Sequence, residues 1–142
     1  MTAWNCIKMI LTPENIRQIA ERSSLETTAC SCIRGLSQGW ETLPKTLEAS
    51  SLLRFIGEIS TDRAQELSLE EYHPNGTHFW SEDAPICFDF FPYNISSVWG
   101  CKCCARAFLR FTEAGAYHSE QRIRILRASL IGNPVQEEHV QD

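Results

Sequence analysis

Cys101-Lys102-Cys103-Cys104, set between Val98-Trp99-Gly100 and Arg106-Ala107-Phe108-Leu109-Arg110, constrains this chain more than any other stretch. It reads as strand, tight cysteine-bearing turn, strand. Cys101 and Cys104 have the C-x-x-C spacing that lets two thiolates converge on one tetrahedral metal from a knuckle. One such pair is half a zinc site. The other half is best supplied by Cys30-Ser31-Cys32, because residues i and i+2 of an extended segment point the same way. Cys30, Cys32, Cys101 and Cys104 are therefore expected to hold one structural Zn2+. Four thiolates leave no open coordination position, so the metal is expected to hold the fold and not to catalyse. Cys103 competes for the place of Cys104, and His73, His78, Cys87 or His118 can each stand in for a ligand. The plainer alternative is a set of buried free thiols, which pack as small apolar groups.

A chain of 142 residues is one domain by size. Such a domain buries about 68–70% of its unfolded surface, so it needs no disulfides. Residues 1–132 are expected to form that single domain, and the polar tail 133–142, with Pro134, to fray. The count of seven cysteines is odd, and five of them crowd into two short clusters. The first residues, Met1 to Leu11, lack a basic start and are interrupted by polar side chains, unlike a signal peptide. No apolar run approaches the roughly 20 residues of a membrane helix. Reduced, metal-binding cysteines in a cytoplasmic protein are the expectation.

Charge is uneven. Residues 101–127 hold 6 basic and 2 acidic side chains, whereas the whole chain carries a net charge of −5. The basic stretch offers Arg106, Arg110, Arg122, Arg124 and Arg127 as phosphate contacts of a zinc-ribbon-like nucleic-acid binder. Against this, nucleic-acid domains are usually basic overall, and the same arginines can be the solvated face of a β-hairpin, paired with acids.

The fold class expected is α+β: an antiparallel sheet with a zinc-knuckle hairpin and an N-terminal helix. Thr12-Pro13-Glu14 signals a helix start, with Thr12 as N-cap, and Ile16, Ile19 and Ala20 share one face over about residues 13–23. Residues 24–40 read as irregular, and Leu47 and Leu52 do not settle helix against strand. In Leu53–Ile59 the alternation is broken by Ile56. Pro74-Asn75-Gly76 predicts a hairpin turn between 71–73 and 77–80, and Ile86–Phe91 predicts a strand. Two more strands are expected over 106–112 and 117–126, where Ile123 and Ile125 alternate with arginines. Most of the aromatics between Phe79 and Tyr117 must be core, and one or two left exposed among arginines would be binding anchors.

Catalysis finds no local support. There is no Gly-rich phosphate loop, nucleophile elbow or H-E-x-x-H motif. No catalytic residue is expected. A metal-dependent hydrolase would need a histidine or carboxylate ligand and an open coordination position.

Several motifs together resemble a known family. They are Glu71-Tyr72-His73-Pro74-Asn75-Gly76-Thr77-His78-Phe79-Trp80-Ser81, then Ala84-Pro85-Ile86 and Pro92-Tyr93-Asn94. Val98-Trp99-x-Cys101-x-x-Cys104-x-Arg106-x-Phe108-Leu109-Arg110, Thr112-Glu113 and Gly115-x-Tyr117-His118-x-Glu120-x-Arg122-Ile123-Arg124 complete the set. The chain resembles a bacterial family of small C-x-C/C-x-x-C proteins met as immunity proteins of contact-dependent growth inhibition and related toxin systems. The resemblance covers about residues 71–126, with a looser echo at Cys30-x-Cys32 and Trp40. It implies that the two cysteine pairs form one metal site. It departs after Asn94, where Ile95-Ser96 stands in place of Arg-Cys, so no ligand falls there. The resemblance further implies a cognate protein toxin as partner. A basic nuclease would suit an acidic chain of pI ≈ 5.4.

Overall fold

A computed structural model describes residues 10–59, 70–74, 76–114, 117 and 119–132. The expectations for Asn75, for His118 and for the tail 133–142 lie outside the described residues.

The first described elements are strand β1 (Ile10–Leu11) and helix α1 (Pro13–Ser24). Thr12 caps the helix: its Oγ1 accepts from the Asn15 amide while Asn15 Oδ1 accepts from the Thr12 amide. This reciprocal box satisfies two amides that the first turn leaves without helical partners. Ile16 and Ala20 are fully buried, as the helical period predicts. The chain continues through β2 (Glu41–Thr42), α2 (Lys45–Ser50), β3 (Leu53–Ile59), β4 (Ser97–Cys101), β5 (Ala107–Ala114) and β6 (Ser119–Ile125).

The fold is α+β, built on an open six-stranded sheet of order β1-β3-β4-β5-β6-β2. All neighbours are antiparallel except β1 and β3. Between Phe55 and Gly57 the β3–β4 register shifts. That bulge is the physical cause of the interrupted alternation at Ile56, since an extra residue moves later side chains to the other face.

The register assigns each core to a face. Val98 pairs with Leu109 and Leu109 with Arg124; Ala107 and Phe111 lie on the same side. These residues pack with Ile16 and Ala20 of α1 and with Trp40. On the opposite face Cys101, Phe108 and Ile123 pack with Cys32, Leu43 and Leu47 of α2. The sheet is thus the middle layer, with α1 on one side and α2 plus the Cys30–Cys32 segment on the other.

Three expected strands, at 71–73, 77–80 and 86–91, are absent. Residues 71–74 and 77–78 are irregular and 79–80 lie in a turn, with the Thr77 amide donating to Pro74 O. Phe79 and Trp80 instead pack as a T-shaped pair, and Phe79 stacks 6.0 Å from Trp40. Of Ile86–Phe91 only Ile86 makes a β-bridge, to Ile131. Phe90 stacks on Tyr72 at 5.2 Å while Phe91 meets Phe111 at 5.8 Å, so neighbouring rings turn to separate partners and no ladder runs through them. Gly39 allows this arrangement, because a Cβ there would lie 2.6 Å from Trp80 O.

Candidate metal centre

Four cysteines meet where the C-terminal end of β4 faces the segment after α1. The connection 102–106 turns β4 into β5, with the Cys101 amide donating to Arg106 O at 3.0 Å. Across from it, Cys30 is extended and Ser31–Ile33 form one 3-10 turn. The cysteine pair at 30 and 32 is therefore not a simple extended segment. The turn does not separate the sulfurs, and Gly35 at φ +80° leads the chain away afterwards.

The sulfurs of Cys30, Cys32, Cys101 and Cys104 all lie within 4.8 Å of one another. Cys30 and Cys101 are 3.6 Å apart, and Cys32 and Cys104 are 3.7 Å apart. A tetrahedron with Zn–S bonds of about 2.3 Å has S···S edges of about 3.8 Å. The donor set fits a tetrahedral, thiophilic ion in both chemistry and spacing.

Amides support the thiolates. The Cys103 N–H donates to Cys101 Sγ at 3.3 Å. The Cys32 backbone N–H does the same for Cys30, and this bond is the first reason the Cys30 thiol is lowered to about 7. Burial works the other way on Cys32 and Cys101, raising both. Ionising all four together needs a cation, because burial disfavours uncompensated charge.

Arg106 completes the surroundings. It is only 8% exposed and donates through Nη1 to Cys104 Sγ at 3.6 Å and to Thr28 O at 2.7 Å. Glu26 accepts from the Ala105 amide at 2.7 Å, and Ser23 Oγ from the Ala107 amide at 2.9 Å. The end of α1 thereby clamps the turn that carries Cys104. Sequence reasoning missed these supports. Arg106 stood two residues from Cys104 as a hint, but nothing marked Glu26 as a partner 79 positions away. Arg106→Ala is expected to weaken metal affinity by about 10- to 100-fold, the usual effect of removing a supporting group. Competition with a chelator of known affinity measures it.

The alternatives sit apart from this set. Cys103 is exposed. Cys87 is buried elsewhere, its thiol pushed up to about 11 by that burial. His73 bonds Glu71 at 2.6 Å, and neither it nor His78 joins the group.

The arginines of the basic stretch scatter. Arg110 shares a face with Ile123, whereas Arg122 and Arg124 point to the other side. Arg122 pairs with Glu113 at 2.7 Å, and Arg124 is 1% exposed. Arg127 lines a cavity of about 690 Å3 beside Arg106. Comparison with family models, with curated proteins and with solved structures finds no match to the chain. No helix among the described residues is long and apolar enough to cross a membrane.

Proposed function

We propose that the chain is a cytoplasmic immunity-type binding protein that neutralises a cognate toxin by occluding it, stiffened by a structural zinc ion. The closed set of four sulfurs within 4.8 Å carries the metal part. Four thiolates saturate a tetrahedral ion and leave no position for substrate, which favours scaffolding over catalysis. The resemblance over residues 71–126 and the net charge of −5 support a basic toxin as partner. The internal engagement of Arg106, Arg122 and Arg124 favours this over nucleic-acid binding.

Co-expression with the product of an adjacent toxin-like gene tests the function. The chain should restore growth and co-purify with that product. Continued toxicity despite soluble chain would rule the proposal out. Micromolar binding of mixed-sequence DNA or RNA that falls steeply with salt would transfer the case to the nucleic-acid alternative.

A further inference from the structure

The cavity of about 690 Å3 beside Arg106 lies between the end of α1, the segment 33–38 and the 3-10 turn Ala128–Leu130. Sites for small organic molecules commonly have about 300–1,000 Å3, and this one falls within that range. Ile33, Leu36, Leu126 and Ala128 give it apolar walls. Three serines brace it. Ser23 Oγ accepts from the Ala107 amide at 2.9 Å, Ser24 Oγ from the Ala128 amide at 3.0 Å, and Ser37 Oγ from the Gly39 amide at 3.2 Å. The first two bonds tie α1 to β5 and to the turn at 128, so the cavity has its shape before anything enters it.

The same bonds fix the polarity of the lining. A hydroxyl that accepts from an amide still has its own proton to donate. For all three serines that proton finds no acceptor among the described residues, and Ser23 is only 3% exposed, which denies it water. Two guanidiniums and one carboxylate share the space. Glu26 is already engaged: Oε1 accepts from the Ala105 amide at 2.7 Å and Oε2 from the Thr28 amide at 3.2 Å. Arg106 lies close enough to offset its charge, and spends its own donors on Thr28 O, Glu26 O and Cys104 Sγ. Arg127 is left over. It is half-buried, and its side chain makes no hydrogen bond or ion pair among the described residues. The lining thus combines a surplus cation with hydroxyl protons that lack acceptors, a demand that an oxyanion meets.

We infer that this cavity binds a small organic oxyanion, a carboxylate or phosphate ester with an apolar body. The headgroup pairs with the Arg127 guanidinium, whose planar fork matches carboxylate and phosphate oxygens, and takes serine hydroxyl protons. The apolar body lies against Ile33, Leu36 and Leu126. The site is separate from toxin occlusion and holds whether or not the chain is an immunity protein.

The test titrates the full chain, purified under reducing conditions, with phenyl phosphate, benzoate, inorganic phosphate and benzylamine, followed by NMR. Phenyl phosphate or benzoate should shift the amides of Leu36, Ser37 and Ala128, and the tighter of the two assigns the headgroup as phosphate or carboxylate. Benzylamine, of the same shape and opposite charge, should leave those amides unmoved. Arg127→Gln should weaken binding of the anion about tenfold or more, the usual loss with a charged hydrogen-bond donor, and Arg127→Lys should restore part of it. Ser129→Trp, which places a ring at the exposed rim, should block binding as a second, independent variant. Shifts centred elsewhere, equal shifts with benzylamine, or full affinity in both Arg127→Gln and Ser129→Trp would overturn the inference. Inorganic phosphate binding as tightly as phenyl phosphate would overturn it too, because the apolar walls would then contribute nothing.

Discussion

Protein purified under reducing conditions is expected to contain close to one zinc ion per chain. Cys32→Ser and Cys101→Ser should each lose the metal and several kcal/mol of stability. In small peptides a structural zinc site is worth on the order of 10–16 kcal/mol, and that binding energy is also folding energy. Here the sheet has an apolar core of its own, built on Val98, Leu109 and Phe111 against α1, so only part of that sum should appear as lost stability. Cys87→Ala and Cys103→Ser are the controls and should keep full metal content. Elemental analysis with urea denaturation decides the matter; a well-folded protein free of metal would sink it. Acid should strip the ion, because protons compete for the thiolates. In the metal-free chain the sign differs between cysteines. Cys30, lowered to about 7, contributes stability above the ordinary thiol range that fades as pH falls toward 7. Cys32 and Cys101, raised by burial, cost stability as pH climbs past that range.

The second large effect lies in the other layer. Trp40→Ala should destabilise the fold by about 3–5 kcal/mol, the usual range for emptying an aromatic core site. Trp40 is 1% exposed and touches Phe111 edge-on at 4.9 Å. Its indole N–H donates to the Tyr93 hydroxyl at 3.2 Å, and Arg124 donates to the same oxygen. Arg124 also donates to Ala84 O at 2.7 Å and Glu82 O at 3.2 Å, tying the 82–93 segment to β6. Tyr93→Phe, which strands two buried donors, should cost about 1–3 kcal/mol. Domains of this kind have only about 5–15 kcal/mol in total, so Trp40→Ala should leave a substantial unfolded fraction under mild urea. A loss below that of Tyr93→Phe would mean the tryptophan is not the keystone its contacts indicate.

What could be read in advance was local. Thr12-Pro13 and the Ile16/Ala20 spacing marked α1 because capping and helical period act within a few residues. The arginine–isoleucine alternation marked β6 for the same reason. The four cysteines were legible because their chemistry is specific even when their distance in sequence is not. Residues 71–91 failed this approach. Aromatic density there resembles strand propensity, yet each ring is placed by a distant partner such as Trp40, Tyr72 or Phe111. Helix α2 went unrecognised because six residues carry too little period to register. The position of β2 beside β6 depends wholly on pairing across about eighty residues.

The order of assembly follows from where the sulfurs stand along the chain. Strands β4, β5 and β6 are successive in both chain and sheet, so short loops close them first. Cys101 and Cys104 are carried on the first of those turns and form a two-thiolate nest early. Cys30 and Cys32 lie 71 and 72 positions away from the sulfurs they meet, and closing a loop of that length is slow. An ion captured by the early pair would thus wait for its last two ligands. The metal would then close as a latch on a nearly finished sheet, and folding rate should depend on it less than unfolding rate does.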